Sequence, residues 1–299
     1  MRYSHWVMAI TLLSVTSALA TLSACSGGAD HAPASTMSTT MTRPPTSTPT
    51  SPVGDAATRS YGADPAQVYD VYPPAGAAAK ATVVVVHGGF WRAQYDREHA
   101  VPEAKAFAAA GYHVALVEYR RAGMPGGGVP GTLDDVRDVR ASIASQPDLP
   151  GPLVLVGHSA GGHLVTWVAG QPWARERGIA GVVSLAGVVD LGAADRLHLG
   201  DDAARAFVGS GPGTAAWASA DPMSRLPPTV PVRLVDGSDD DTVPLGVADA
   251  YVKEATAAGG DVTEVVVPGA DHFAVIDPAA PAFAHVLAAV RALTGRSTP

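Results

Sequence analysis

The chain has 299 residues, of which 47% are apolar and 16% charged, and its formal net charge is −8. This length and balance are those of a globular protein with one large core. An acidic chain without a run of Lys and Arg has no electrostatic footprint for nucleic acid, so we exclude nucleic acid as a partner. Cys25 is the only cysteine, which excludes an internal disulfide.

The first 25 residues predict export. Arg2 and His5 precede an apolar stretch over residues 7–22, and small residues lead to Cys25. A charged start, an apolar middle and a small-residue end are typical of a secretory signal peptide. The stretch is short, is interrupted by Ser and Thr and has no basic flank after it, which disfavours a permanent transmembrane helix.

The sequence LSAC over residues 22–25 resembles the lipobox of bacterial lipoproteins. This resemblance implies that Cys25 is acylated and becomes the first residue of the mature protein. We therefore expect a lipoprotein signal peptide over residues 1–24 and a lipid anchor on Cys25 at the outer face of the cell membrane. Ordinary cleavage near Ala24, with Cys25 a free thiol and the protein secreted in soluble form, is the alternative.

Residues 25–58 are rich in Ser, Thr, Pro and Ala and contain few large apolar side chains. Such a segment cannot bury enough surface to offset the entropy of ordering, so the composition predicts a disordered tether. From about Arg59 the pattern becomes globular, and we assign residues 59–299 to one domain.

Strands and helices alternate along this domain. Residues 68–72 alternate between polar and apolar and predict an edge strand, whereas residues 81–86 are a continuous β-branched run, typical of a strand covered on both faces. The predicted strands cover residues 68–72, 81–86, 113–117, 153–156, 181–185, 232–235 and 262–267, and the predicted helices cover residues 98–110, 133–144, 163–169, 247–257 and 282–293. This order indicates an α/β fold with a mostly parallel central sheet and helices on both faces. Residues 191–229, with short helical patches such as 201–207, interrupt the alternation and read as a small insertion before the strand at 232–235.

The sequence GHSAG at residues 157–161 matches G-x-S-x-G, the nucleophile elbow. A predicted strand precedes it and a helical pattern follows, which is the context that this motif requires. Ser159 would sit on a sharp turn, and glycines two positions before and after remove side chains that would clash there. The backbone N–H of Ala160 would face the negative charge that develops during acyl transfer. A chance glycine-rich turn is the structural alternative.

A serine nucleophile needs a base, and the base needs an orienting acid. Four histidines follow Ser159, and of these only His272 stands in a loop directly after a late strand; the other three are His163, His198 and His285. The acid is expected after the strand at 232–235, where residues 236–241 contain four aspartates. Spacing alone does not choose among them.

The elbow, the acid loop of the form G-x-x-D-x-x-V-P at residues 237–244 and the late sequence DHF at 271–273 together resemble the α/β-hydrolase fold over about residues 59–299. The resemblance implies that Asp240 is the acid, with Asp241 in reserve. It also implies a Ser159–His272–Asp240 triad without a cofactor. No spacing of His, Cys, Asp and Glu suggests a metal site.

The sequence HGGFW at residues 87–91 resembles the H-G-G-x-W of kynurenine formamidases and related small esterases. By this resemblance the backbone amides of Gly89 and Phe90 complete the oxyanion hole with Ala160. Trp91, Arg92 and Tyr95 either line the substrate site or pack in the core. A third cluster after the strand at 113–117, composed of Glu118, Arg120 and Arg121, reads as structural ion pairing.

These patterns predict an exported serine hydrolase of the carboxylesterase type that cleaves short-chain carboxylic esters. A second possibility is hydrolysis of N-formyl or other small amides, although export argues against a role in cytoplasmic tryptophan breakdown. The alternative that is not an enzyme is an inactive hydrolase fold that serves as an anchored binding module. An intact set of triad residues argues against that module.

Overall fold

The computed structural model describes residues 55–76, 78, 81–176 and 178–295. The predicted signal peptide, Cys25 and nearly all of the predicted tether lie outside these residues. The first strand begins at Ala57, two residues before the boundary that the composition suggested. In the described part of the chain, no helix combines the length and the apolar character needed to cross a membrane.

Eight strands form one sheet. They are β1 (Ala57–Ser60), β2 (Val68–Tyr72), β3 (Thr82–Val86), β4 (His113–Val117), β5 (Leu153–His158), β6 (Ile179–Leu185), β7 (Val232–Gly237) and β8 (Val262–Val267). Their spatial order is β1-β2-β4-β3-β5-β6-β7-β8. The β1–β2 and β2–β4 pairs are antiparallel, and all other pairs are parallel. The predicted mostly parallel α/β sheet is confirmed.

Strand β2 is not the edge strand that its alternating pattern suggested, because β1 pairs with its outer side. Strand β1 was not predicted, since its four residues are small or polar and mostly exposed. At the opposite edge β8 is largely exposed along its length. The β-branched runs of β3 and the apolar part of β5 are buried on both faces, and each fully buried Val or Leu side chain contributes about 1.5–3 kcal/mol.

Nine α-helices occur in the described part of the chain. They are α1 (Val101–Ala109), α2 (Gly131–Ala144), α3 (Ala160–Ala169), α4 (Trp173–Glu176), α5 (Leu191–Arg196), α6 (Ala203–Val208), α7 (Ala215–Ala220), α8 (Gly246–Ala257) and α9 (Phe283–Thr294). Side chains of α2, α3 and α8 share a core with one face of the sheet. Those of α1 and α9 share a second core with the other face. Helices therefore cover both faces, as the alternation predicted.

The insertion between β6 and β7 carries the short helices α5, α6 and α7. Its apolar residues, among them Phe207 and Trp217, are buried in the same core as α2 and α3. Gly200 O of the insertion accepts from the Arg92 guanidinium in the loop after β3. The insertion therefore packs against the carboxyl end of that central strand, where the loops that carry the candidate site also emerge.

Candidate active site

Ser159 occupies the sharp turn between β5 and α3. Its φ of 54° and ψ of −116° lie outside the regions that side-chain-bearing residues prefer, so the turn is strained. The backbone fixes it: Ser159 donates from N to Leu185 O at 2.8 Å, and its own carbonyl accepts from His163 N at 3.1 Å. This is the strand–serine–helix geometry that the motif predicts.

The two flanking glycines are required by close backbone approach. A Cβ on Gly157 would lie 2.2 Å from Gly161 O, and one on Gly161 would lie 2.0 Å from Val86 O. No side chain fits at either position unless the backbone shifts. The geometry of the elbow therefore requires that both positions lack a side chain, and Gly161 packs directly against the end of β3.

His272 and Asp240 meet at the carboxyl ends of β8 and β7. His272 Nδ1 donates to Asp240 Oδ2 at 2.7 Å, and both side chains are buried. Because Nδ1 carries the hydrogen in this bond, Nε2 is left as the basic nitrogen. His272 and Ser159 line the same pocket, so the structure brings together the three residues of the expected triad.

Asp240 is held on both oxygens. Its Oδ1 accepts from Thr242 N at 2.9 Å and Val243 N at 2.8 Å, while Oδ2 accepts from His272. Burial by itself would raise the pKa of Asp240, but the bond from His272 and the two backbone amides outweigh it and hold the pKa below its usual value. The carboxylate form is thus favoured beside the imidazole.

The other three aspartates of this loop do not contact His272. Asp239 and Asp241 are exposed, and Asp236 is buried on β7. Burial, together with the negative charges of Glu264 and Asp240, raises the pKa of Asp236 well above its ordinary value. The ambiguity among four aspartates is therefore resolved by geometry in favour of Asp240, and the reserve residue Asp241 points to solvent.

Gly89 and Phe90 line the pocket together with Ser159. Gly89 has a φ of +110°, and a Cβ there would lie 2.4 Å from Tyr95 Cβ, so this position needs glycine. Ala160 is the first residue of α3, and the amides of a first helical turn have no acceptor within the helix. Gly89 and Phe90 thus line the same pocket as Ser159, and Ala160 directly follows the serine at the start of α3; their role as the oxyanion hole stays a prediction.

A buried polar network stabilises the turn that carries Gly89. His87 Nε2 lies 3.0 Å from Glu118 Oε1, and Glu118 pairs with Arg121 at 3.1 Å. Tyr119 donates from its hydroxyl to His87 O at 2.9 Å. The expected ion pairing after β4 is present for Glu118 and Arg121, whereas Arg120 pairs instead with Asp135 at 2.6 Å.

Of the three aromatic and basic residues that could line the site, only Tyr95 does so. Trp91 is 1% exposed; it stacks on Phe207 of α6 and donates from Nε1 to His163 Nδ1 at 3.2 Å. Arg92 bonds from its guanidinium to Gly200 O. Of the two alternatives left open by the sequence, Trp91 and Arg92 follow the packing one and not the lining one, because the insertion packs over them.

The pocket has a volume of about 400 Å³, which lies within the range of small-molecule sites. Its lining residues are Gly89, Phe90, Tyr95, His99, His158, Ser159, Thr242, His272, Phe273 and Ile276. Five of these were missed from the sequence. Three stand within two residues of a predicted triad position, namely His158, Thr242 and Phe273, and proximity to those motifs was the available signal. His99 and Ile276 carried none.

The remaining candidate histidines lie elsewhere. His163 is fully buried behind the elbow, where it accepts from Trp91 and donates from Nε2 to Ala220 O at 2.9 Å, and burial lowers its pKa to about 4. His198 is bonded to Asp202 on the surface, and His285 belongs to α9. Across residues 55–295, with the masked positions set aside, no group of three or more His, Cys, Asp or Glu side chains is arranged to hold a metal ion.

The sheet order, the elbow and the placement of the two loops after β7 and β8 define the α/β-hydrolase fold. Solved structures share it. Esterase B from Lactobacillus rhamnosis superposes with a TM-score of 0.68 at 23% identity, over 81% of this chain and 87% of that one. A truncated carbohydrate esterase from gut microbiota gives 0.68 at 18%, over 83% and 98%. Est2 of Thermogutta terrifontis with propionate bound gives 0.64 at 20%, over 82% and 96%.

A match between the sequence and a family model shows which family the chain belongs to. The BD-FAE family model matches residues 69–253, which is more than half of the chain, and the chain belongs to that family. The matched range includes the HGGFW turn, the elbow and the acid loop, and it ends before His272. No curated protein matches the chain.

Proposed function

We propose that this protein is a serine hydrolase that cleaves short-chain carboxylic esters. The observation that carries the proposal is the 2.7 Å bond between His272 and Asp240 beside a pocket that also contains Ser159. A strained serine turn and a fixed imidazole tautomer are what nucleophilic catalysis at a carbonyl requires. Membership in a family whose fold relatives include esterases supports the same reaction class.

In the proposed mechanism Ser159 Oγ attacks the ester carbonyl while His272 Nε2 takes its proton. The oxyanion is stabilised by the backbone amides of Gly89, Phe90 and Ala160. His272 then gives the proton to the departing alcohol, which leaves an acyl-enzyme. Water attacks this ester with His272 again as base, and the carboxylic acid and free Ser159 result. Asp240 holds the imidazole and stabilises its charged form.

The pocket supports a short or medium acyl group. Its walls are largely apolar and include Phe90, Phe273 and Ile276. Two structures of Thermogutta terrifontis esterase 2 contain propionate and butyrate, which are acids of this size. A formyl group would leave most of the volume unfilled. Small amides therefore remain a second candidate only through the HGGFW turn, which resembles that of formamidases.

The test is a series of p-nitrophenyl esters, from acetate to octanoate, measured beside an N-formyl arylamine. We expect kcat/KM to be highest for an ester with a short acyl chain, and the Ser159→Ala variant to have no turnover above background. A higher kcat/KM for the formyl amide would replace the ester assignment with the amidase one. Absence of turnover on all of them, with a folded protein, would favour the binding-module alternative.

We also propose that Cys25 carries a lipid that anchors the exported domain to the outer face of the cell membrane. The support is the charged start, the apolar stretch and the LSAC ending; residues 25–58 would serve as the tether. Detergent-phase partitioning of Cys25→Ser in the native host tests it, with Ser35→Ala as the matched control. We expect only the cysteine variant to move to the aqueous phase, and an unchanged membrane fraction would contradict the proposal.

A further inference from the structure

His158, the residue before Ser159, contacts the loop that carries His272. Its Nε2 lies 2.9 Å from the backbone carbonyl of His272, and the two rings are 4.6 Å apart. His158 is itself buried as the last residue of β5. Two adjacent residues at the end of β5 therefore serve the site: Ser159 is the proposed nucleophile, and His158 bonds to the main chain of the proposed base.

The partner of Nε2 fixes the state of this ring. A carbonyl oxygen only accepts, so Nε2 must carry the hydrogen. The other nitrogen, Nδ1, is buried and has no hydrogen-bond partner among the described residues. It faces Gly88, where a Cβ would lie only 3.0 Å from it. Burial, and then the neighbouring charge of His272, lowers the pKa of His158 to about 3, so the neutral Nε2–H tautomer is the stable one.

The other bonds that tie the His272 loop to the acid loop lie two or more residues before His272: Asp239 N donates to Ala270 O at 3.0 Å and Gly269 N to Ser238 Oγ at 2.8 Å. Strand β8, which leads into the loop, is an edge strand with three of its six residues exposed, and Phe273, which follows His272, is 60% exposed. The side chain of His272 is bonded to Asp240, but that bond constrains only the ring. The hydrogen bond from His158 to the backbone carbonyl of His272 is a second restraint. It fixes the position of the main chain from which the imidazole extends.

We propose that His158 is a positioning residue: its Nε2–H holds the main chain of His272 so that the imidazole spans the distance between Asp240 and Ser159. The kinetic consequence of this positioning role rests on the proposed function. Its structural consequence does not, since the His272–Asp240 bond can be observed whether or not an ester is cleaved.

Two amide variants separate the donor from the bulk of the side chain. In His158→Gln the amide nitrogen stands about where Nε2 does and can still donate to the His272 carbonyl. In His158→Asn the amide nitrogen stands nearer the backbone, at the place of Nδ1, and cannot reach. Both are neutral amides that differ by one methylene group, and His158→Leu, which fills the site without a donor, separates the lost bond from the lost volume. Should the Asn variant not fold, His158→Leu replaces it.

Two readouts are measured on the full chain. The first is the downfield proton resonance of the His272–Asp240 bond, assigned by its absence in His272→Ala. The second is p-nitrophenyl butyrate kinetics. In the Asn variant we expect the resonance to broaden and kcat to fall about 10- to 100-fold, because a misplacement of about 1 Å can cost about a hundredfold. KM should change little, and the Gln variant should restore both the resonance and kcat.

The outcomes are distinguishable. Equal resonance and equal kcat in the wild type and in the Asn variant would overturn the positioning role, as would a loss that appears in KM rather than in kcat. A purely structural role would lower the melting temperature equally in both variants without rescue by Gln. If the Asn variant loses the resonance but the wild type cleaves no ester, the positioning role stands and the proposed function fails.

Discussion

The elbow after β5 and the two loops after β7 and β8 place their candidate residues by different means. Around Ser159 the backbone is packed against backbone, and Gly157 and Gly161 leave no room for a Cβ. Around the His272 and Asp240 side chains the restraints are hydrogen bonds at a partly exposed edge of the sheet, and steric exclusion acts only farther off, at Gly237, where a Cβ would lie 2.2 Å from Ala270 O. The nucleophile is thus held mainly by steric exclusion and the base mainly by polar contacts, so substitutions in the two regions should fail differently.

The largest expected effect comes from removing either member of the nucleophile–base pair. We expect Ser159→Ala and His272→Ala each to lower kcat by about 10⁶-fold, and the double variant to be little worse, because both disable the same step. Melting temperature should change little in Ser159→Ala, whereas His272→Ala leaves the buried Asp240 carboxylate without its imidazole partner and should lower the melting temperature while the protein still folds. The measurement is steady-state kinetics beside thermal unfolding. Additive losses, or an inactive His272→Ala that no longer folds, would contradict the assignment.

The acid loop gives a sharper test of the polar region, because it contains its own controls. Asp240→Asn should lower kcat by about 10⁴-fold, as loss of the orienting carboxylate does in other triads. Asp239→Asn and Asp241→Asn remove exposed carboxylates and should change kcat by less than about threefold. Equal effects in all three variants would remove Asp240 from the mechanism.

The elbow should instead lose stability when a single methyl group is added. Gly161→Ala places a Cβ 2.0 Å from Val86 O, and we expect the free energy of unfolding to fall by about 3 kcal/mol, the upper end of typical overpacking costs. Gly246→Ala, at the start of α8, meets no atom within 4 Å and is the control. It should change stability by at most about 1 kcal/mol in either direction. Urea unfolding measures both, and a tolerated Gly161→Ala would contradict the steric account.

The elbow side also predicts a pH dependence of stability. Burial lowers the pKa of His163 to about 4, while the unfolded chain has the ordinary value near 6.5. Below about pH 6.5 the unfolded state binds a proton that the folded state does not. The contribution of His163 to stability is therefore lost as pH falls towards 4, by about 1.4 kcal/mol per pH unit, while burial, which raises the pKa of Glu103 to about 8, acts in the opposite sense. The lowered pKa of Asp240 acts only at lower pH, below its unfolded value.

His163→Gln tests this contribution, because it removes the titrating ring from the buried site behind the elbow. Its slope of unfolding free energy against pH between 6.5 and 4 should be shallower than that of the wild type. His285→Gln, on an exposed position of α9, should keep the wild-type slope. The same slope in both variants would show that His163 does not carry the effect.

The difference between the regions also explains what the sequence could predict. Buried parallel strands have an apolar pattern of their own, and the bounds predicted for β4 and β8 agree with the structure. The elbow is local, so its motif contains the whole geometry. Helix α3 begins at Ala160 rather than at the predicted residue 163. The first turn contains two glycines, whose low helix propensity does not indicate a helix in the sequence; in the structure the turn at Ser159 starts the helix before them.

The features that were missed depend on distant parts of the chain. Strand β1 has no apolar pattern and exists through its pairing with β2. Trp91 was left open between pocket and core, and it is buried because α6, more than a hundred residues later, supplies Phe207 to stack on it. The choice of Asp240 among four aspartates came from a family resemblance, since the orientation of that loop is set by backbone amides that composition does not reveal.

The most direct test of the account is labelling with a fluorophosphonate, followed by peptide mapping of the adduct. We predict one adduct, on Ser159, that forms rapidly in the wild type, is absent in Ser159→Ala and forms far more slowly in Asp240→Asn. An adduct on another serine, or ester hydrolysis that persists after Ser159 is fully labelled, would contradict the claim that Ser159, His272 and Asp240 work as one catalytic unit.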